Sequence, residues 1–156
     1  VLEESALEYL QKHLRILSGF YGILRAFDGV VPYRLEMQAR LACEGYKNLY
    51  AFLNSLLYGE LTRDDREVLN LASKEYSKAV EPYVKDEVRF VTCVFGTYVN
   101  GKLKVKATEA KMARGEMVRL CAENNVQSVN EVKVYNVRGY VFNEELSSET
   151  EFVFVK

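Results

Sequence analysis

The sequence contains no tryptophan, a single histidine, two prolines and three cysteines, and each scarcity closes off a class of chemistry. With His13 the sole imidazole, Ser-His-Asp machinery is not expected unless Ser18 happens to be its partner. Cys43, Cys93 and Cys121 are far apart, odd in number and in no C-x-x-C arrangement. Neither a zinc centre nor a disulfide framework is therefore expected. They read as ordinary buried thiols, since peroxide sensing by cysteine needs a lowered pKa and an exposed site. A Walker loop, G-x-G-x-x-G, H-E-x-x-H and a G-x-S-x-G in its usual context are all missing. No metal site or cofactor is expected, no catalytic residue is identified, and whether the chain is an enzyme stays open. No apolar run approaches the ~20 residues of a membrane span and no signal-peptide pattern is present. The expected setting is cytoplasmic, with no membrane partner.

Charge of one sign is also missing, because 21 basic residues nearly balance 22 acidic ones. The field of the whole molecule does not advertise a polyanion partner, so any nucleic-acid surface must be local. At 156 residues a single continuous domain, 1–156, is the default. The chain opens on Val1 and directly on helix-like text, which reads as a segment of something longer.

The pattern along the chain is that of an α+β domain: a mixed twisted sheet with flanking helices. Ala6, Leu7, Leu10 and Leu14 recur at helical spacing, with Ser5 and Glu8 placed as a capping box. Arg15 to Ser18 reads as a brief buried strand ending at Gly19, followed by a helical turn or tight loop through Tyr21, Leu24 and Arg25. Asp28-Gly29 signals a turn, and Pro32 pushes Val31 into an extended conformation. Tyr33 to Met37 alternates like a strand with Arg34 and Glu36 on one face. Those two are either functional neighbours or a plain surface ion pair. Asn48 to Leu57 predicts one helix with Leu49, Phe52, Leu53 and Leu56 inward. Val68 to Ala72 predicts a strand, after which Ser73 caps a short helix carrying Glu75 and Tyr76. A polar residue at a strand end before a helix N-terminus is where open α/β sheets tend to bind ligands.

Asn100-Gly101 predicts a two-residue hairpin turn within 88–106, with Val91, Cys93 and Phe95 alternating against Thr92 and Val94. Lys102, Lys104 and Lys106 then share a face, which is also how an edge strand is protected against unwanted pairing. Ala107 to Asn124 predicts a helix burying Ala110, Ala113, Met117, Leu120 and Cys121, with Lys111 and Arg114 beside that stripe. From 102 to 119 six cations face only Glu109 and Glu116, the one basic concentration in the chain. Gly115 inside this helix suggests close approach by another backbone or a ligand. A short helix or irregular connection at 127–135 and closing strands at 139–142 and 152–155 complete the reading.

The densest stretch is His13 to Met37, HLRILSGFYGILRAFDGVVPYRLEM, which gathers arginines, two carboxylates, tyrosines and glycines into 25 positions. LQKHLRILSGFYGILRAFDGVVPYRLEM, NLASKEY, AKMARGEM and RGYVFNEELS, in this order, resemble the YaaA family of bacterial peroxide-stress proteins across essentially the whole chain. Members carry a preceding segment with an S-P-A-K-T-like motif, so the chain resembles the C-terminal two-thirds of one. The family pattern picks out Ser18, Gly19, Tyr21, Gly22, Arg25, Asp28, Pro32, Tyr33, Arg34, Glu36 and Met37. It continues through Asn70, Ser73, Glu75 and Tyr76, then Lys111, Arg114, Gly115 and Arg119, and last Gly139 and Tyr140. Ala26 departs from it, since members usually have proline there.

The resemblance implies a mixed α/β fold and a role in peroxide resistance through limiting free iron and DNA damage. It also implies DNA binding by a positively charged cleft, with a helix-hairpin-helix element largely in the preceding segment. On that reading Arg25, Arg34, Lys111, Arg114 and Arg119 contact phosphate while Tyr21, Tyr33 or Tyr76 stacks on unpaired bases. The alternative is an enzyme on a small nucleotide-like or anionic metabolite, with Asp28, Glu36 or Glu75 as acid/base groups. Two geometric expectations follow: Arg25, Asp28, Arg34 and Glu36 converge in a partly buried pocket, and Lys111 and Arg114 line the same cleft.

Overall fold

The computed structural model describes residues 1–156 and carries the elements of an α+β fold. In chain order they are α1 (Glu4–His13), β1 (Arg15–Ser18), β2 (Gly22–Arg25), α2 (Leu49–Leu53), α3 (Leu56–Leu61), β3 (Glu67–Asn70) and α4 (Lys74–Ser77). β4 (Arg89–Val99), β5 (Lys102–Lys104), α5 (Ala107–Glu123), β6 (Val141–Phe142) and β7 (Glu151–Val155) follow, with 3-10 turns at Glu81–Tyr83 and Val129–Val134. The chain divides into two units. A sheet unit comprises Val1–Leu7, Glu67–Leu71 and Arg89–Lys156, and a hairpin unit comprises Glu8–Arg66 and Ala72–Val88.

The sheet unit is built on β4, the longest run of β-branched and aromatic residues in the sequence. β4 pairs in parallel with β3 on one side and β7 on the other, and β7 pairs antiparallel with β6. Its far end turns back through Asn100 and Gly101, both at positive φ (51° and 75°), into antiparallel β5. That is the backbone a type I′ hairpin requires. Val91, Cys93 and Phe95 are buried as the alternation predicts, and Phe95 stacks on Phe154 with ring centroids 5.2 Å apart. Tyr140 meets the edge of the Phe95 ring at 5.5 Å. Ala110, Ala113, Met117 and Cys121 of α5 are buried as expected. Removing each of the large rings Phe95, Phe152 and Phe154 from water contributes about 1.5–3 kcal/mol. Ser128 and Glu131 form a capping box for the 3-10 turn at Val129–Val134, and Glu67 Oε1 accepts from the Val129 N–H at 2.6 Å.

In the hairpin unit β1 and β2 pair antiparallel, Ser18 opposite Gly22. The region 22–25 is thus a strand, not the helical turn or loop its spacing suggested. Tyr33 to Met37 forms no strand: its backbone is held by contact with the β1–β2 turn, and only Met37 at its end is fully buried. Gly19 makes this approach possible, because a Cβ there would stand 2.5 Å from the Leu35 carbonyl oxygen. The single helix expected over 48–57 is two, since Asn54 at φ 48° interrupts it, and Leu56 is 68% exposed while Leu57 and Tyr58 are buried. Asn48 caps α2 by accepting from the Ala51 N–H at 2.9 Å.

Smaller corrections follow from backbone bonding. α1 begins two residues early, with the Leu7 N–H donating to the Glu3 carbonyl at 3.1 Å, so Ser5 lies in its first turn rather than at its cap. Lys106 stands at the N-cap of α5, beyond the strand that carries Lys102 and Lys104. Gly115 is approached by nothing, for a Cβ there meets open space. Gly115→Ala should therefore stabilise the chain by roughly 0.5–1 kcal/mol through helix propensity. Gly19→Ala should destabilise it by more than about 1 kcal/mol. Urea denaturation of both variants checks this, and a stabilised Gly19→Ala would contradict the packing described.

Candidate functional site

Ser18 organises the first candidate site. It is the last residue of β1 and is buried, and its hydroxyl accepts from the Tyr21 N–H at 3.0 Å and the Phe20 N–H at 3.3 Å. The same oxygen makes a short hydrogen bond with the Tyr33 hydroxyl. One serine thus fixes the turn after β1 and anchors the loop 33–37 to it. The result is an aromatic rim: Phe20 lies 4.9 Å from Tyr21 and 5.3 Å from Tyr33, and Tyr21 lies 5.6 Å from Tyr33. Phe20 and Tyr33 are exposed, as are Phe27 and Val31 beside them in sequence. The Tyr21 hydroxyl accepts from the Val31 N–H at 2.9 Å, pinning the 28–32 loop. Phe20 was not among the predicted residues, although its place at a glycine-flanked strand end was a usable signal.

A second cluster joins this one. Glu75 and Tyr76 sit in α4, and Ser73 stands at its N-cap, where its carbonyl rather than its side chain accepts from Tyr76 and Ser77. Glu75 Oε1 accepts weakly from the Gln38 N–H at 3.4 Å, and the Glu75 carbonyl accepts from the Tyr50 hydroxyl at 2.7 Å. Burial raises the Tyr76 pKa, helped by the nearby charges of Glu75, Tyr33 and Glu36, while a hydrogen bond with the Met37 backbone pulls it down. Burial and Glu75 likewise raise Tyr50, over whose ring Lys78 places its ammonium at 5.3 Å. Tyr33, Glu36, Glu75 and Tyr76 are thus brought together within one unit, with Ser18 and Tyr21 behind Tyr33.

Arg25, Asp28, Arg34 and Glu36 do not form the partly buried pocket expected of them. All four are exposed and no ion pair joins them. Asp28 instead accepts from the Arg25 backbone N–H at 2.7 Å, closing the turn after β2. The reason is that 33–37 is a loop, so residues two apart need not share a face.

Lys111, Arg114 and Arg119 lie on α5 in the sheet unit. Arg119 is engaged, its Nε donating to Glu123 at 2.8 Å. Lys102, Lys104, Lys106, Lys111 and Arg114 make no ion pair at all. Glu109, the carboxylate closest in sequence to most of them, is occupied by Lys156 at 3.6 Å and by the Tyr140 hydroxyl at 3.3 Å. Arg114 is half-buried, and burial lowers its pKa with no carboxylate to offset the cost.

The thiols are unsuited to sensing peroxide where they are buried. Burial pushes the Cys121 thiol up to about 11 and Cys93 further still. Cys43 is half-exposed in a turn closed by reciprocal backbone bonds with Tyr46 at 2.8 and 3.0 Å. No group of three or more His, Cys, Asp or Glu side chains is gathered in a way that could hold a metal ion, and no helix is long and apolar enough to cross a membrane.

Comparison with known sequences decides the family. The profile of the family described as peroxide stress protein YaaA matches residues 1–146. The chain belongs to the YaaA family. It is 53% identical over 154 residues to a UPF0246 protein of Limosilactobacillus reuteri (strain DSM 20016), covering 99% of this chain and 62% of that protein. It is 51% identical to a UPF0246 protein of Pediococcus pentosaceus, over all of this chain and 62% of the relative. The UPF0246 protein of Lachnoclostridium phytofermentans is 54% identical over all of this chain and 61% of its own length. The chain thus spans about three-fifths of the length of these YaaA-family relatives.

Two outcomes follow from the site. Ser18→Ala should cost about 1–3 kcal/mol, because it strands two backbone donors and the Tyr33 hydroxyl, whereas Tyr33→Phe should cost about 1 kcal/mol. A double-mutant cycle by urea denaturation should return a coupling above about 0.5 kcal/mol. In native protein at neutral pH, Ellman's reagent should modify Cys43 alone, with Cys93 and Cys121 reacting only on unfolding. Rapid modification of either buried thiol would contradict the burial described.

Proposed function

We propose that this chain acts in the peroxide stress response by binding nucleic acid, thereby limiting peroxide and iron damage to it. The observation that carries the reading is the run of five cations from Lys102 to Arg114 without an ion-paired carboxylate, in a chain of net charge −1. Cations kept free of internal partners are available to phosphates, and neutralising phosphate releases condensed counterions. Lys102 and Lys104 share a face of β5, opposite Val99 and Thr97 of β4, and the row continues in sequence through Lys106 at the N-cap of α5 and Lys111 within it. In the hairpin unit the exposed rings of Phe20 and Tyr33 provide flat apolar faces on which unpaired bases stack, and Arg25 and Arg34 are free nearby in sequence.

A second reading, an enzyme on a small nucleotide-like or anionic metabolite, draws on the gathering of Glu36, Glu75, Tyr33 and Tyr76. Salt separates the two, because affinity for phosphates along a strand falls steeply with ionic strength and capture in a closed site does not. Fluorescence anisotropy with labelled single-stranded and duplex oligonucleotides should give log Kd rising linearly with log salt. Lys104→Ala and Lys111→Ala should each lower that slope by about one and weaken binding to every sequence alike. A slope unchanged in both variants would overturn the nucleic-acid reading at this row.

A further inference from the structure

An open cleft of about 620 Å³ lies within the hairpin unit, between α3 and the segment 82–87, and none of the candidate site residues named above line it. It is open to solvent, and Arg66, Lys85 and Glu87 of its lining are exposed. Two cations line it, Arg66 and Lys85, and neither has a carboxylate within ion-pair distance. Arg66 is held in place, with Nη1 donating to the Thr62 carbonyl at 2.9 Å just past the end of α3. The rest of its guanidinium fork is left unengaged. Glu87 shares the lining but pairs with neither cation, so the lining residues sum to one net positive charge, with Asp64, Asp65 and Asp86 adjacent to them in sequence.

The walls are tied together. Tyr58 is buried in α3, and its hydroxyl accepts from the Lys85 N–H at 3.3 Å across the cleft. Thr62 donates its hydroxyl to the Tyr58 carbonyl at 2.8 Å, fixing the turn that presents Arg66. Pro82 and Tyr83 add an apolar margin on the opposite side. Gly59 lies in the middle of α3 on the lining, and a Cβ built there meets nothing within 4 Å. A helix-interior glycine costs about 1 kcal/mol relative to alanine, and here no neighbouring atom accounts for it. Its lack of a side chain leaves that part of the exposed lining open.

We propose that this cleft binds a small phosphate ester of mononucleotide size, with Arg66 and Lys85 on the phosphate and the ring or sugar against Pro82 and Tyr83. Arg66 supplies the planar fork that matches phosphate oxygens two at a time, and Lys85 a second point charge. The site uses none of the residues of the nucleic-acid reading and stands or falls apart from it.

Isothermal titration of the intact chain with AMP, adenosine and inorganic phosphate tests the proposal. AMP should bind saturably, with adenosine and phosphate alone each at least about tenfold weaker. Gly59→Leu should weaken AMP binding about tenfold or more by adding a bulky side chain to the lining, while Gly59→Ala should keep it and leave the fold intact. Arg66→Gln should weaken it about tenfold or more, as loss of a charge-assisted hydrogen bond does. No saturable AMP binding at millimolar concentration, or wild-type affinity in Gly59→Leu or Arg66→Gln, would overturn it.

Discussion

The sheet unit depends on β4 having three partners. Parallel neighbours on both sides can be reached only by long crossovers, and the chain supplies two. The connection from β3 to β4 carries α4 and the 3-10 turn at Glu81–Tyr83, and the connection from β4 to β7 carries β5 and α5. The position of the cation row is therefore a consequence of the topology of β4. Its Asn100-Gly101 turn sends the chain straight from the core strand into Lys102, and α5 then lays Ala110, Ala113 and Met117 inward. Lys102, Lys104, Lys106 and Lys111 are left exposed there, alongside Val105, Ala107, Thr108 and Met112.

The hairpin unit rests on a smaller constraint, one hydroxyl and one missing Cβ. Ser18 gathers two backbone donors and the Tyr33 hydroxyl, and Gly19 admits the Leu35 carbonyl at a distance no side chain would permit. Together they hold an otherwise irregular loop against a four-residue strand. The exposed rings of Phe20 and Tyr33 belong to this arrangement, in which the Ser18 hydroxyl bonds the Phe20 N–H and the Tyr33 hydroxyl.

Much of the sheet unit was legible because its signals are local and strong. Asn100-Gly101 specifies positive φ at both turn positions, and the alternation of Val91, Cys93 and Phe95 states which face is buried. The three elements misread in the hairpin unit have non-local causes. Gly22 to Arg25 is too short to show a period, and it is a strand only because β1 is there to pair with it. Tyr33 to Met37 alternates without pairing, its shape set by contact with Gly19. Asn54 breaks a run of good helix text through its own backbone conformation, which hydrophobic spacing does not register. Gly115 misled in the opposite direction: its cost in the helix is real, but no neighbour approaches it. The candidate site residues split accordingly, with Ser18, Tyr21, Tyr33, Glu75 and Tyr76 held in contacts between segments, Asp28 spent on its own turn, and the side chains of Arg25, Arg34 and Glu36 exposed.

Membership of the YaaA family and unpaired cations in the sheet unit lead to one central claim, that phosphate is met along 102–114. Nuclear magnetic resonance titration of the chain with a short single-stranded oligonucleotide tests it most directly. The account predicts salt-sensitive shifts of the amide and side-chain signals of Lys102, Lys104, Lys106, Lys111 and Arg114. Shifts confined to Gly59, Arg66 and Lys85, with 102–114 unmoved, would contradict it.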